Sequence, residues 1–570
     1  MSYRLDLDDI QGNVVRAYGR YSFPFARYMF FNIREPAAGR KFVNQLLGHV
    51  TTAARWTNGN QKPSCTLNCG FTFLGLYMLE LSQRVLQGMP EEFIAGMKDR
   101  AFLLGDRDQT KPEPELGDWA HHWDRIWREN RAFAMHEHKD VHIWVSLNAQ
   151  RKRTPGYATD DLSDPALKVI EPVPDLGQLT DRLRSYVSDS KGGVALLSTN
   201  GRNGADPWMD AQAVFRDFDG IKLPTAKEHF GFTDGVGDPV FAGQLPQEQE
   251  RIRVRGRGKR MGTTTENDGW EPLAPGEFIL GHPDEAQELP PSARPPEFTR
   301  NGTFMAYRKL HEMVDTFRRS VRAEAERYAR VQGIDQAEAE VTLRAKMCGR
   351  WPDGIPLAHA PTHAEWQAKR QVEGFEDPSA LKAFLAEIAY LDKPESSDFR
   401  FADDMKGYRT PPGAHMRRVN TRDYLDPMNA PEGDNPNATT ALNKRRRIMR
   451  RGLPYGTLPA EEQTDETEQG VLMMVLCASL FRQFEFIQQQ WIEYGLDFHQ
   501  GNDTCPLLGR HDTHRRMAIP ADPGKSGKGG ACPYTISGLD TVVECRGGDY
   551  FFIPSITALR ALAMGVVDPT

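Results

Sequence analysis

The chain has 570 residues and a mass of 64.3 kDa, too much for one compact core, so two domains or one domain with large insertions is expected. Apolar residues make up 39% of it, and its 50 glycines and 39 prolines stay below the ~25–30% share that marks low-complexity disorder. A net charge of −7 at pH 7 and a pI near 6.1 argue against a nucleic-acid coat and a membrane-surface protein, both of which favour a basic excess.

The longest apolar stretch, residues 470–481, is stopped by Arg482, short of the ~18–20 residues that cross a bilayer. The opening MSYRLDLDDIQGN is acidic and lacks the apolar region of a secretory signal. Seven scattered cysteines, at 65, 69, 348, 477, 505, 532 and 545, form no even framework. A reduced cytoplasmic protein with free thiols is expected.

Residues 28–33 (YMFFNI) read as a strand, residues 71–86 (FTFLGLYMLELSQRVL) as a helix, and residues 140–147 (DVHIWVSL) and 192–199 (GGVALLST) as strands. From Val314 through Phe317, Val321, Ala325, Tyr328 and Val331 the apolar residues fall three or four apart, one stripe of a helix that Gly333 can end. Asp335 and Glu338 form a D-x-x-E start for the next helix. Residues 302–310, 471–480 and 549–554 read as strands, 481–491 as a helix, 361–396 as a charged helical insertion and 426–443 as a loop. Strands interrupted by helices in both halves predict two α+β units.

The usual chemical motifs are absent. There is no P-loop, no H-E-x-x-H and no G-x-S-x-G, and without a C-x-x-C pair neither a four-cysteine zinc site nor covalent haem attachment is indicated. Cys65 and Cys69 suit two buried thiols at least as well as a metal. The histidine pairs 121/122, 136/138, 359/363 and 511/514 lack a nearby second half and read as surface or loop residues. Two basic runs, 251–260 and 444–451, leave three readings open: a nucleic-acid or localisation signal, solvated charge, or an anion site with one guanidinium placed inside.

The informative segment is HFGFTDGVGDP, residues 229–239. Asp234 is flanked by Gly231, Gly235 and Gly237 and bordered by Phe230 and Phe232, so backbone and carboxylate can approach a ligand closely. On spacing alone an ordinary Asp-Gly turn is the plainer reading.

GFTDG at 231–235 resembles the G-x-x-D-G signature of the dye-decolorising peroxidases, a haem family. Further blocks resemble that family in order: DDIQGNVVRAYG (8–19), NCGFTFLGLYML (68–79), EPLAPGEFILGHPDE (271–285), NGTFMAYRKL (301–310), GRWPDGIPL (349–357), DFRFADDMKGYRTPPGAHMRRVN (398–420), RRIMRRGLPYG (446–456), ASLFRQFEFIQQQW (478–491) and CRGGDYFFIPSITALR (545–560). The resemblance implies an α+β fold of two ferredoxin-like domains with antiparallel sheets and peripheral helices, residues 1–225 and 226–570. The second would hold most of a non-covalent haem b and carry insertions near 311–396 and 426–443.

By the same resemblance His415 is the axial iron ligand, Asp234 the distal acid–base, and Arg450 the distal arginine, with Arg451 as fallback if the register slips by one. Gly235, Val236 and Gly237 border the cofactor. The activity implied is reduction of hydrogen peroxide through a ferryl intermediate, with oxidation of dyes, phenols or other small aromatic donors. A haem-binding or iron-handling protein with little turnover is the alternative. No nucleic-acid or membrane partner is implied, and association into a homo-oligomer is compatible with the family. Glu485 and Asp503 are candidate partners for the second nitrogen of His415, since ligating histidines usually donate to a carboxylate or carbonyl. Arg417 and Arg418 read equally as propionate partners or surface ion pairs. An unperturbed Asp ionises near ~4, so an acidic optimum is expected.

Overall fold

The computed structural model describes residues 4–57, 61–106, 120–131, 137–158, 160–262, 265–290, 294–428, 437–456, 462–511, 516–521 and 532–565. Within these, ten strands form one sheet: β1 (Phe25–Ile33), β2 (Cys65–Phe71), β3 (Ile143–Ala149), β4 (Val194–Leu196), β5 (Met209–Gln212), β6 (Thr303–Glu312), β7 (Met449–Arg451), β8 (Pro454–Tyr455), β9 (Gly470–Cys477) and β10 (Val543–Ile553). The strand order is β7-β9-β6-β10-β2-β3-β1-β4, with β5 on β1 and β8 on β9, and every pairing is antiparallel. The fold is α+β.

The two halves of this sheet repeat one plan. In the first, helix Pro36–Leu47 follows β1 and helix Asp175–Asp189 precedes β4. In the second, helix Val314–Gln332 follows β6 and the helical segments Leu480–Glu485 and Ile487–Ile492 separate β9 from β10. Each half therefore runs β-α-β-β-α-β with its first strand inside the sheet, and the halves meet where Phe552 of β10 pairs with Phe71 of β2. β3 and β6 are buried along their whole lengths, and β6 takes Arg308 and Lys309 inside with it, paired with Asp106, Asp124 and Glu468. Tyr28, Phe30, Trp127 and Tyr307 interlock across the join, Phe30 meeting Trp127 edge-on at 4.9 Å.

Several expectations meet their elements, with longer or shorter ends. Residues 28–33 lie in β1, and 140–147 overlap β3. The apolar stripe from Val314 forms a helix ended by Gly333 at φ +68°, and Asp335 caps the next helix, Gln336–Cys348, through the amides of Ala337 and Glu338 at 2.9 and 3.0 Å. The charged insertion holds helices His363–Glu373 and Ala380–Asp392. Of the loop at 426–443, residues 429–436 lie outside the described residues.

Two expectations need correction. Residues 71–86 are not one helix: Phe71 ends β2, Thr72 caps a short helix Phe73–Met78, Glu80 reverses the chain at φ +58°, and Ser82 caps Gln83–Gln87. The apolar spacing survives because both short helices turn one face to the same core. Residues 481–491 are helical but wound as π-helix, which widens each turn by one residue.

Candidate functional site

The Asp234 turn is tied down from several directions. The Asp234 amide donates to the Ala226 carbonyl at 2.7 Å, and the Thr233 hydroxyl donates to the Pro352 carbonyl at 2.7 Å. Phe230 stacks on Phe317 at 4.3 Å and Phe232 meets the same ring edge-on at 5.9 Å. Gly231 sits at φ +86°, a conformation costly for any residue with a Cβ, and a Cβ there would lie 2.9 Å from Nη2 of Arg344. Gly235 and Gly237 also take positive φ, +77° and +91°. Val236 between them is half-buried.

The carboxylate of Asp234 lies between two guanidiniums. Nη2 of Arg450, from β7, donates to Oδ1, and Nη2 of Arg20, from the loop before β1, donates to Oδ2. Burial alone would raise the Asp234 carboxyl, but Arg450 and Arg20 together outweigh it and hold it far below the usual carboxylate range. Arg450 and not Arg451 is the partner: Arg451 turns to Asp238 at 2.8 Å and to the Asn13 carbonyl at 2.8 Å. Arg20 was missed in the sequence, where a single arginine in YGRYSF carries no signal that its partner lies more than two hundred residues away.

His415 opens the helix His415–Val419. Its Nδ1 lies 3.3 Å from Sγ of Cys505, which leaves Nε2 as the nitrogen available to a metal. This corrects both expected carboxylate partners. Glu485 is engaged elsewhere, accepting from Arg100 and, at 2.7 Å, from the Tyr550 hydroxyl, and the sulfur that reaches the ring belongs to the residue two beyond Asp503. Burial pushes the Cys505 thiol up, but His415 and Arg418 more than offset this and bring it to about 7.

Ala414, Cys505, Phe230, Phe232 and Phe317 belong to one buried apolar cluster, with Met416 and Ile448 packed against it. The aromatics that border Asp234, the neighbours of His415 and a residue two before Arg450 therefore share one apolar surface.

Beside that surface lies a surplus of buried positive charge. Arg350 and Arg422 stack over the Phe399 ring, 4.7 and 4.4 Å from its centroid, and each donates to carbonyl oxygens, as does Arg447 to Gly258 and Arg257 at 2.7 and 2.9 Å. Nη2 of Arg350 and Nε of Arg422 find no hydrogen-bond partner among the described residues. Burial, with Arg447 and Arg350 adding like charge, pulls Arg422 well below the ordinary arginine value; burial brings Arg350 and Arg447 to about 10. A Cβ on Gly237 would lie 3.9 Å from Nη2 of Arg350, so this cluster borders the Asp234 turn. Such an arrangement fits a ligand that carries carboxylates.

The other arginines resolve differently. Arg417 and Arg418 are fully buried, which removes the surface ion-pair reading. Arg417 is held by Asp404 and the Thr410 carbonyl, and Arg418 by the Trp491 and Tyr494 carbonyls at 2.9 and 3.0 Å. Several members of both basic runs are held by partners: Arg255 pairs with Asp398 at 2.5 Å, Lys259 with Glu285 at 3.2 Å, Arg445 with Asp284 at 2.8 Å, and Arg446 stacks on Phe486 at 3.6 Å, whereas Arg251 and Arg253 are exposed. Cys65 and Cys69 are unpaired thiols on β2. No group of three metal-ligating side chains gathers among the described residues, and no helix there is long and apolar enough to cross a membrane.

Fold and site define an α+β protein with a guanidinium-clamped aspartate, a histidine on the same apolar surface and a basic flank for an anionic ligand. No family model matches the chain. Curated proteins match it along nearly its whole length. A dye-decolorizing peroxidase of Mycena epipterygia is 23% identical over 598 residues, covering 98% of this chain and 87% of its own. A multifunctional dye peroxidase of an Amycolatopsis species is 23% identical over 582 residues, covering 98% of this chain and 96% of its own. A solved dye-decolorizing peroxidase in complex with 2,6-dimethoxyphenol shares the fold at a TM-score of 0.64 and 20% identity, over 98% of this chain and all of the other. Along nearly its whole length the chain is therefore similar to dye-decolorizing peroxidases, in sequence and in fold.

Proposed function

We propose that this protein is a haem peroxidase that reduces hydrogen peroxide and oxidises dyes, phenols or similar one-electron donors. The observation that carries the reading is the Asp234–Arg450 pair, set in a glycine-dense turn on the same apolar surface as His415. The names of the relatives support dye oxidation, and the phenol-bound relative supports small aromatic donors. The residues present fit a non-covalent haem b: His415 would bind the iron through Nε2, Arg350 and Arg422 would meet the carboxylates, and Gly235, Val236 and Gly237 would border the ring. Bound haem supplies the redox centre at which the peroxide O–O bond is cleaved and to which donors return electrons.

The chain's own groups move the proton and steady the charge. Asp234, ionised across the neutral range, takes the proton from one peroxide oxygen and returns it to the other, which leaves as water. Negative charge gathers on the departing oxygen, where a fixed guanidinium at Arg450 is worth typically ~3–4 kcal/mol in a dry site. Arginine stays charged at any working pH. A protein that only holds haem needs neither group, so the pair favours turnover over storage.

The halves 1–225 and 226–570 are read as two ferredoxin-like domains, a division supported by the repeated strand order. The second supplies His415, Asp234 and Arg450, whereas Arg20 reaches in from the first. Seven unpaired cysteines support a reducing compartment such as the cytoplasm. The test is an absorption spectrum of the purified protein, with peroxide-driven oxidation of 2,6-dimethoxyphenol by wild type, Asp234→Asn and Arg450→Leu. Both variants are expected to keep the Soret band and slow at least roughly tenfold. A colourless protein, or unchanged rates in both variants, would overturn the proposal.

A further inference from the structure

We infer that Glu228 and Glu312 are a proton-sharing pair of positioning residues that holds the Asp234 turn in its working shape. Both carboxyls are buried. Glu228 closes the turn on itself: Oε2 accepts the Phe230 N–H at 2.7 Å and Oε1 accepts the Phe232 N–H at 2.5 Å. Glu312, the last residue of β6, accepts the His229 N–H through Oε2 at 3.2 Å. Three of the amides leading up to Asp234 are thus anchored by two carboxyls from separate parts of the chain.

Glu312 and Glu228 take consecutive amides, those of His229 and Phe230, so the two buried carboxyls converge on one point of the turn. Two like charges buried together repel and lack water to screen them, so one of the two carries a proton. Amides already occupy both oxygens of Glu228, whereas an amide meets only one oxygen of Glu312. The proton therefore sits on Glu312. Burial is the largest cause lifting both groups, Glu228 to about 7 and Glu312 well above the carboxylate range, where Glu228 and Asp234 add like charge.

The charged and titratable groups facing Glu228 are Asp234, Arg344, Lys227 and Cys348. Those facing Glu312 are Glu228, Asp234, Arg450 and Tyr455. Because the folded values lie above ordinary ones, the shared proton is present at neutral pH and is lost as pH rises through them. Three carboxylates then crowd one turn, and the turn loosens on the alkaline side.

The pair matters for turnover only through the reading of Asp234 as proton carrier, so the first measurement avoids turnover. An infrared difference spectrum between neutral and alkaline pH should show loss of a protonated carboxyl C=O band in wild type that is missing in Glu312→Gln. Gln at 312 still accepts from His229 and places no charge beside Glu228. Gln at 228 would set an NH2 against an amide N–H. For peroxide-driven oxidation at neutral pH, Glu312→Leu and Glu228→Gln should lose at least about tenfold in kcat, since a misplacement of about 1 Å can cost 10²-fold. Glu312→Gln should recover most of that loss and shift the alkaline limb upward. Identical infrared differences in wild type and Glu312→Gln would overturn the shared proton. Equal losses in Glu312→Gln and Glu312→Leu would overturn the positioning role, even with peroxidase activity intact.

Discussion

Replacing Arg20 with leucine should move the acid limb of the peroxide reaction. Asp234 is held down by two guanidiniums, and the variant leaves only Arg450. At about 4 Å and an effective dielectric of ~20, one guanidinium is worth about 4 kcal/mol to a carboxylate. With side chains 6% and 23% exposed for Arg20 and Asp234, solvent screens part of this, and a rise of roughly 1–2 pH units is expected at about 1.4 kcal/mol per unit. The sign follows from the depressed value: Asp234 is ionised in wild type down to strongly acid pH, and losing one cation lets a proton bind at higher pH. The carboxylate in the variant is also the stronger base, so the neutral-pH rate should hold or rise. The assay is kcat/KM for peroxide against pH in wild type, Arg20→Leu and Arg20→Lys, with lysine, which keeps the charge, lying between. The same depression contributes stability that is present above the ordinary carboxylate value and lost as pH falls through the folded one, so the variant should melt earlier in mild acid. An acid limb that stays put in Arg20→Leu would refute the reasoning.

Other substitutions test neighbouring claims. Cys505→Ala frees the Nδ1 side of His415, and haem affinity, read by transfer to apomyoglobin, should fall by about 10–100-fold. Gly231→Ala puts a Cβ at φ +86° and 2.9 Å from Arg344 Nη2, and should cost about 1–3 kcal/mol in denaturant unfolding. Trp366→Ala removes a ring stacked 4.5 Å over Trp351; unfolding should be easier by about 3–5 kcal/mol, with the Soret band unchanged.

Much of the architecture was legible because it is locally encoded. The stripe from Val314, the glycine stop at 333 and the aspartate cap at 335 each act within a few residues; the stop and the cap stand where spacing put them, and the stripe is buried as far as Tyr328 while Val331, expected in it, is exposed. The helix expected over 71–86 was misread because two short helices, each turning its apolar side to one core, keep the spacing of a single longer helix; only the caps at Thr72 and Ser82 separate them. The glycines around Asp234 likewise announce a turn of unusual backbone, since three of them take positive φ.

The partners of those residues were not legible. Arg20 and Asp234 are 214 residues apart, Arg450 and Asp234 216, and His415 and Cys505 90. Local periodicity states which face of an element is buried, but not which element from the other half of the sheet will lie against it. Charge also reads the same in sequence whether it is solvated or enclosed, so the run at 444–451 could not disclose that Arg445 meets Asp284 while Arg450 meets Asp234. The residues and their backbone preferences come from the chain order. The proton affinity of Asp234 comes from chain reversal, because an electric field depends on distances that only the folded chain creates.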